Sequence, residues 1–379
     1  MMKAKIPFNI PFQSGGEIAD IKRALAYGQL SGDGVYTQRC SHFLKNYLGV
    51  HDVLLTTSCT HALELAYLLL DIKTGDEVIL PSFTFPSTAN AFVLRGAKPR
   101  FVDIRPDTLN IDENLIEEKI TSKVKAISPV HYAGVPCEMD AINKIARKHR
   151  LWVVEDAAQA LGARLRGRLC GTFGHLNAFS FHETKNLNCG EGGALAFPEK
   201  RFIKRAEIIR QKGTNRAQFY RGEVDKYSWV DIGSSYVPSE LQTAFLFAQL
   251  KHHHSISVKR KKLFCHYWDG LKFLEEKGIA RLPVIPTHVE SSHHLFHLIF
   301  PTEKWRDKVL AWLRKNGIYA VFHYVPLHVA EMGRKFGYRI GDCPVTESFA
   351  PRLLRLPLFN SMTGAEQDFV INTLTRYFL

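Results

Sequence analysis

Short apolar runs alternate with helix-like stretches between about residue 50 and residue 197, and this alternation constrains the fold more than any other feature. The apolar runs have the character of buried strands and occupy residues 53–57, 77–82, 99–104, 125–132, 151–157, 177–182 and 193–197. Strands separated by helices of about 10 to 15 residues are typical of a mostly parallel sheet with helices on both faces. The sequence therefore predicts an α/β fold built on a mostly parallel, seven-stranded sheet flanked by helices.

The length of the chain predicts a second domain. Its 379 residues exceed the roughly 250 to 300 at which a single hydrophobic core stops growing. Residues 236–275 are expected to be helical throughout and to lead into a smaller α+β C-terminal domain. That domain is expected to hold strands at 293–300 and 319–328, a helix that ends at Gly317, and a closing helix at 364–377. We place the two domains at residues 1–250 and 251–379.

Cysteine usage and hydropathy predict where the protein works. The seven cysteines form no CxxC pair, and an odd, scattered set is typical of free thiols in a reducing cytosol. No apolar run approaches the roughly 18 to 20 residues that a membrane span needs. The first residues, MMKAKIPFNIPF, lack the apolar core of a signal peptide. We expect a cytoplasmic protein with no membrane partner.

Basic residues outnumber acidic ones but are spread along the chain. The 50 Lys+Arg and 37 Asp+Glu give a net charge of +13. A nucleic-acid-binding protein usually clusters such charge, so we predict small anionic substrates and no nucleic-acid partner. The longest basic block, KRKK at 259–262, is predicted to be a solvated helix face. The three histidines at 252–254 are predicted to be a solvated helix end, and no metal site is expected.

Two charged residues stand where predicted strands end. Asp156 closes the run WVVED, and Lys185 follows the run NAFSFH. Ligands of parallel sheets collect outside the carboxyl ends of the strands, so both side chains are expected in one crevice. A carboxylate near the core needs a partner, which a salt bridge, a helix cap or a cationic ring nitrogen would each supply. A lysine in a low-dielectric pocket has a lowered pKa and is the better nucleophile toward carbonyls.

Three further groups complete a candidate cofactor site. A predicted strand runs directly into an apolar helix at Ser58, Cys59 and Thr60. These residues either cap the helix or form a phosphate site. Phe85 is either a core aromatic or a flat face for a ring. A phosphate cup, an acid for a pyridinium nitrogen and a reactive lysine are together what pyridoxal 5'-phosphate (PLP) requires of its protein.

Several motifs together resemble those of the DegT-type sugar aminotransferases, which have fold type I of the PLP enzymes. The motifs are Ser58-Cys59-Thr60, GDEVILPSFTFPSTANA, VEDAAQ, SFHETKN, GEGGA and HYVPLH, and the resemblance runs from about residue 6 to the last helix. It implies Lys185 as the catalytic residue that binds PLP covalently. It also implies Asp156 at the ring nitrogen, Gln159 near the ring hydroxyl, and a phosphate held by Ser58, Cys59, Thr60 and Ser180.

The resemblance also implies a homodimer whose active sites are shared between subunits. Two positions depart from the family pattern. Many relatives have glycine where Cys59 stands, and many have an asparagine that reaches the neighbour's phosphate where this chain has Ser235 in a GSS segment. Because Ser235 occupies the position of that asparagine, it is a candidate cofactor residue.

The expected substrates are L-glutamate and a dTDP-linked 4-keto-6-deoxy sugar. The resemblance favours transfer to C4 of dTDP-4-dehydro-6-deoxy-D-glucose with the galacto product, for a cell-surface polysaccharide. A gluco product, a 3-amino sugar, a PLP-dependent sugar dehydratase and a PLP-binding regulator remain alternatives. Arg216, Arg221 and Lys226 are candidate anion clamps or simply a solvated basic loop. His323 and Tyr324 are candidates to close over the sugar.

Overall fold

A seven-stranded sheet forms the centre of the computed structural model, which describes residues 5–379. The strands of the chain are β1 (Asp52–Thr56), β2 (Glu77–Pro81), β3 (Lys98–Val102), β4 (Val124–Ile127), β5 (Trp152–Asp156), β6 (Arg164–Leu165), β7 (Arg168–Leu169), β8 (Leu176–Ser180), β9 (Gly193–Phe197), β10 (Val289–Glu290), β11 (Phe296–Ile299) and β12 (Leu353–Leu356). The large sheet has the order β1-β9-β8-β5-β4-β2-β3. β9 is antiparallel to both its neighbours, and the other strand pairs are parallel. The predicted α/β class and mostly parallel sheet are confirmed.

Helices cover both faces of this sheet. They are α1 (Glu17–Ala26), α2 (Val35–Leu48), α3 (Cys59–Leu69), α4 (Pro86–Val93), α5 (Met139–His149), α6 (Ile203–Arg210), α7 (Arg216–Tyr220), α8 (Glu240–Lys251), α9 (His253–Glu276), α10 (Glu303–Lys315), α11 (Glu331–Lys335), α12 (Pro344–Phe349) and α13 (Gly364–Phe378). Successive residues of a strand point to opposite faces. Leu54 accordingly packs with the apolar helix α3, whereas Val53 and Leu55 pack with α2 and α8.

A second core lies in the C-terminal part of the chain. β11 and β12 pair antiparallel, and α9, α10 and α13 contribute buried residues beside them, including Tyr267, Val309 and Leu374. Ile6, near the start of the chain, belongs to this core as well. The predicted domain boundary at residue 250 falls beside the junction of α8 and α9, and the division into two domains stays a prediction.

Two local predictions of secondary structure are wrong. The helix predicted for 236–275 begins only at Glu240 and breaks at His252, which has φ −105° and ψ 10° between α8 and α9. Residues 319–328 do not form a strand. They cross between the two cores instead, because Val321 bridges to Arg355 while the Leu327 N–H donates to the Ser82 carbonyl at 2.9 Å.

The basic block at 259–262 is also not uniformly solvated. Its three lysines are exposed, but Arg260 is only 3% exposed. α9 turns this side chain inward, where it donates to the carbonyls of His293 and His294. Of the three histidines at 252–254, His253 is half-buried against Phe43 and the other two are exposed.

None of the helices in residues 5–379 combines the length and the apolar character that crossing a membrane requires.

Candidate active site

A pocket of about 660 Å³ opens at the carboxyl ends of β5 and β8, between the two cores. The large sheet contributes the strand ends and the first turns of α3 and α4, and the C-terminal part contributes segment 321–324 and β12. Ten of the predicted site residues line this pocket, namely Ser58, Cys59, Thr60, Phe85, Asp156, Gln159, Ser180, Lys185, His323 and Tyr324. The crevice expected from the parallel-sheet topology therefore exists and brings Asp156 and Lys185 together.

Asp156 offers a buried carboxylate at the end of β5. One oxygen, Oδ2, accepts a hydrogen bond from Thr88 Oγ1 at 2.8 Å, and Oδ1 accepts one from the Ala158 N–H at 3.1 Å. Burial raises the pKa of this carboxyl, although the two hydrogen bonds oppose the rise. It forms no ion pair with any basic side chain in residues 5–379, so its charge is left for a cationic group in the pocket.

Lys185 lies in the turn that follows β8. Its backbone N–H donates to the His182 carbonyl at 2.9 Å, and its side chain keeps some accessible surface toward the pocket. Burial lowers the pKa of the amine, while Cys59 and Asp156 oppose that effect and the positive charge of Arg355 adds to it. A lowered pKa leaves more of the amine neutral, which is the form that attacks a carbonyl carbon.

The first turn of α3 has the geometry of an anion site. Ser58 is the N-cap, and its Oγ accepts from the His61 N–H at 3.1 Å, so the capping interpretation is correct for this residue. Capping uses a lone pair and leaves the hydroxyl hydrogen free to donate. Thr60 Oγ1 lies 2.7 Å from Ser87 Oγ, and the free N–H groups and positive end of an eleven-residue helix favour a phosphate here.

Gly193 shows how closely β9 packs against the first turn of α3, which is called the phosphate cup here (Ser58, Cys59 and Thr60). It is the first residue of β9 and pairs with Thr56. A Cβ at this position would lie 2.3 Å from the Ser58 carbonyl carbon and 2.4 Å from the Cys59 nitrogen. The GEGGA motif therefore lets the strand support the cup directly, backbone against backbone.

Aromatic side chains form the opposite wall. Gln159 accepts from the Ala133 N–H at 2.7 Å and donates through Nε2 to the Tyr324 hydroxyl at 2.9 Å. The rings of Tyr324 and His323 stack with centroids 3.6 Å apart. Phe85 is 58% exposed and its ring centroid lies 6.2 Å from that of Tyr324, so it is an edge of the pocket and not a core aromatic.

Four predicted residues do not reach this pocket within one chain. Arg216, Arg221, Lys226 and Ser235 are all exposed and lie on the segment 211–235. Arg221 is held by Glu207 at 2.9 Å and Glu223 at 2.6 Å, and Ser235 bridges to Gln211 through its backbone. Their proposed contacts to a substrate or to a neighbouring subunit stay predictions.

The pocket also contains residues that the sequence analysis missed. Thr88 binds Asp156, and His294 and Arg355 line the cavity from the C-terminal part. An arginine inside the apolar strand LLRL was a usable signal, because charged residues are rarely buried without a partner or a ligand. Thr88 carried no signal, since its role depends on a carboxylate 68 residues away.

A buried cluster of His131, Glu155 and Cys170 brings potential metal ligands together, but His131 and Glu155 are already engaged in hydrogen bonds. His131 Nδ1 accepts from the Cys137 N–H at 3.0 Å, and Nε2 lies 2.7 Å from Glu155 Oε1. Glu155 Oε2 also accepts two backbone N–H groups, from Phe173 and Gly174. The cluster is a hydrogen-bonded support beneath the neighbouring Asp156.

The residues present fit PLP. A lone buried carboxylate suits a protonated ring nitrogen, the helix start with its hydroxyls suits a phosphate, and the amine with a lowered pKa suits the aldehyde. Asp156, Ser58, Thr60 and Lys185 would hold these parts of the cofactor. Gln159 and Phe85 line the space between them.

Comparisons with known proteins agree with this assignment. The chain is 37% identical over 350 residues to the uncharacterized protein MJ1066 of Methanocaldococcus jannaschii, covering 90% of each chain. It is 32% identical over 377 residues to the spore coat polysaccharide biosynthesis protein SpsC of Bacillus subtilis, covering 97% of this chain and 96% of SpsC. The crystal structure of S. venezuelae DesV, solved in complex with a ketimine intermediate, superposes with a TM-score of 0.90 at 32% identity and covers 99% of both chains.

The family pattern covers nearly the whole chain as well. Residues 13–375 match the DegT/DnrJ/EryC1/StrS aminotransferase family. That span includes the strand ends, the first turns of α3 and α4 and the segment that carries His323 and Tyr324. With the lysine, the carboxylate and the phosphate cup facing one pocket, the chain belongs to the DegT/DnrJ/EryC1/StrS family of PLP-dependent aminotransferases.

Proposed function

We propose that the protein transfers the amino group of L-glutamate to C4 of dTDP-4-dehydro-6-deoxy-D-glucose, giving dTDP-4-amino-4,6-dideoxy-D-galactose and 2-oxoglutarate. The observation that carries an amino transfer is the pairing of Lys185 and Asp156 in one pocket. The sugar is supported by the relationship to SpsC, which is named for polysaccharide biosynthesis. It is further supported by residues 206–229, 231–236 and 353–359, which resemble the corresponding stretches of enzymes with this activity.

The residues of the pocket divide the work of the reaction. PLP, when bound, supplies an electron-withdrawing ring that stabilises negative charge at the substrate carbon. Asp156 would keep the ring nitrogen protonated, and the first turn of α3 would hold the phosphate. Lys185 removes the proton from the α-carbon of glutamate, and in the second half-reaction it delivers a proton to C4 of the sugar. Such transfer by one positioned group contributes about 10² to 10⁴ in rate.

We also propose that the working unit is a homodimer. The segment 211–235 exposes Trp229 by 80%, Tyr220 by 69% and Tyr227 by 52%, and a cluster of exposed aromatic side chains is a frequent mark of a protein interface. If a partner subunit binds to this segment, the basic residues that the segment carries would lie near the pocket of the partner subunit. Multi-angle light scattering measures the mass directly.

The decisive experiment for the reaction is incubation with dTDP-4-dehydro-6-deoxy-D-glucose, L-glutamate and PLP, followed by NMR of the sugar. We expect an axial amine at C4 and stoichiometric 2-oxoglutarate, and none with the Lys185→Ala variant. An equatorial amine would assign the gluco product, and an amine at C3 would assign the other regiochemistry. Loss of a hydroxyl without amine formation would identify a dehydratase, and no reaction with any sugar together with salt-sensitive DNA binding would favour a regulator.

A further inference from the structure

Two histidines that line the pocket each have one ring nitrogen held by the protein and the other left open. His323 Nδ1 lies 2.7 Å from the Tyr132 hydroxyl, and His294 Nδ1 lies 3.0 Å from Asn186 Oδ1. In both rings Nε2 has no hydrogen-bond partner within residues 5–379 and keeps accessible surface. Because both rings face the cavity that contains the catalytic lysine, each Nε2 is available to a ligand.

Tyr132 fixes the proton of His323 on Nε2. Tyr132 is only 1% exposed, and burial holds the pKa of its hydroxyl well above the usual range, so this group keeps its hydrogen. His323 Nδ1 is the one hydrogen-bond partner of the hydroxyl within residues 5–379, so the O–H donates to Nδ1. Burial, together with the positive charge of Arg355, lowers the pKa of His323 well below its usual range, so the ring is neutral at pH 7. A neutral ring that accepts at Nδ1 carries its proton on Nε2 and presents an N–H to the pocket.

Asn186 fixes the opposite tautomer in His294. Its Nδ2 donates to the Ser292 carbonyl at 2.8 Å, which sets the orientation of the amide and turns Oδ1 toward the imidazole. An amide oxygen only accepts, so His294 Nδ1 donates to it. Burial and the nearby positive charge of Lys185 lower the pKa of His294 well below its usual range. The ring is therefore neutral at pH 7 and presents the lone pair of Nε2 to the pocket.

The two tautomers together restrict what the pair can bind. The lone pair of His294 requires a group that donates a hydrogen, which an ionised carboxylate cannot do. The N–H of His323 requires an oxygen that accepts. A ketone oxygen has no hydrogen and can bind only to the N–H, and a hydroxyl on the next carbon would then face the lone pair. A 4-keto sugar with a hydroxyl at C3 meets both requirements.

We propose that His323 donates to the C4 ketone oxygen of the sugar and that His294 accepts from the hydroxyl at C3. Tyr132 and Asn186 are then positioning residues, because they set the two tautomers. The inference rests on the proposed function, since it concerns the sugar half of that reaction. A hydrogen bond to the ketone oxygen also draws electrons away from C4, the carbon that receives the amino group.

The surroundings of the two rings support contacts at the reacting carbon. Asn186 directly follows Lys185, so His294 is tied to the neighbour of the residue that delivers the proton to C4. The ring of Tyr324 stacks on that of His323 with centroids 3.6 Å apart, which fixes the direction of Nε2. Groups held in this way need no reorganisation when the sugar enters.

The first test observes the tautomers directly in PLP-loaded protein labelled with ¹⁵N-histidine, because protonated and unprotonated ring nitrogens have well-separated NMR shifts. The signals are assigned by their loss in His323→Gln and His294→Gln. We expect the proton on Nε2 of His323 and on Nδ1 of His294 at pH 7. Tyr132→Phe should move part of the His323 population to the other tautomer. The matched control is Tyr267→Phe, which removes a buried hydroxyl that donates to the Pro357 carbonyl at 2.9 Å and does not line the pocket, and it should leave both tautomers unchanged.

The second test pairs a change in the protein with a change in the sugar. The protein carrying the aminated cofactor reacts with dTDP-4-dehydro-6-deoxy-D-glucose or with its 3-deoxy analogue. We expect the analogue to lower kcat/KM of the unaltered protein by about 3- to 10-fold, the effect of one hydrogen bond between neutral groups. In His294→Phe the two sugars should differ by less than about 2-fold, because the partner of the hydroxyl is gone. His323→Phe should slow both sugars alike, since both carry the ketone, and Tyr267→Phe should keep the full preference.

Two results would overturn the inference. One is the opposite tautomer in either histidine, or a Tyr132→Phe spectrum in which His323 is unchanged. The other is a protein that aminates the sugar but keeps its full preference for the 3-hydroxyl in His294→Phe, or in His294→Leu if the phenylalanine variant does not fold. A protein that converts glutamate but aminates no keto sugar would contradict the proposed substrate together with these contacts. Amination without coupling to His294 would contradict the contacts alone.

Discussion

Replacing Gly193 with alanine should weaken PLP binding strongly while leaving the rest of the fold in place. The added Cβ would lie 2.3 Å from the Ser58 carbonyl carbon and 2.4 Å from both the Ser58 oxygen and the Cys59 nitrogen. All three are backbone atoms, so no side chain can rotate away. Ordinary contact begins near 3.4 Å, and the first turn of α3 must therefore move by about 1 Å.

A displacement of about 1 Å is enough to break hydrogen bonds to a bound phosphate, because bonds of about 2.8 Å would lengthen beyond 3.5 Å. Each hydrogen bond to a charged group contributes about 1.5 to 3 kcal/mol. Losing two of them corresponds to about 3 to 6 kcal/mol, or about 10² to 10⁴ in the dissociation constant of PLP. Overpacking should also lower the free energy of unfolding by about 1 to 3 kcal/mol.

The assay is a fluorescence titration of PLP-free protein with PLP, beside urea unfolding monitored by circular dichroism. Gly364→Ala serves as the matched control, because an added Cβ there, at the first residue of α13, meets no atom within 4 Å. An unchanged PLP affinity in a folded Gly193→Ala protein would refute the reasoning that the cup depends on this close backbone contact.

Four further predictions follow from the same structure. Asp156→Asn should reduce turnover by at least about 10²-fold, yet raise the urea midpoint of the PLP-free protein at pH 7, since it removes a buried carboxylate whose pKa is raised. Thr88→Val should retain PLP but shift the pH profile of turnover, because Asp156 loses the 2.8 Å hydrogen bond that favours its charged form. Burial lowers the pKa of His297 to about 3 from 6.5, so its contribution to stability is fully present above pH 6.5 and is lost as the pH falls toward 3. The unfolding free energy should therefore drop by about 1.4 kcal/mol per pH unit below 6.5 from this residue, and His297→Phe should remove that part of the slope in urea titrations at pH 7, 6 and 5. Trp229→Ser combined with Tyr220→Ser should raise the dissociation constant of the homodimer in light scattering without changing the circular dichroism spectrum.

The sheet and the centre of the site could be predicted because their signals are local. An apolar run bounded by polar residues marks a buried strand, and the predicted runs overlap the central strands with shifts of one to a few residues, β9 being identical at 193–197. The carboxyl ends of parallel strands lie at the same edge of a sheet. Asp156 and Lys185 could therefore be placed together without any contact information.

Residues whose role depends on distant partners could not be predicted. In the sequence Arg260 is one residue of a basic run, which predicts an exposed side chain. Its burial depends on the carbonyls of His293 and His294, over 30 residues away. Segment 319–328 is as apolar as a strand, yet its neighbours in space are Arg355 and Ser82, which no periodicity reveals. Arg355 stood out as a charged residue in an apolar strand, but the sequence did not show which cavity it faces, because that cavity is assembled from both cores.

The covalent attachment of PLP to Lys185 is the most direct test of the account. The protein should be loaded with PLP, reduced with borohydride, digested and mapped by mass spectrometry, with the Lys185→Ala variant treated in parallel. We predict one stoichiometric label on the peptide that contains Lys185 and none on the variant. A label on another lysine, or the same amount of label in Lys185→Ala, would contradict the assignment of the active site.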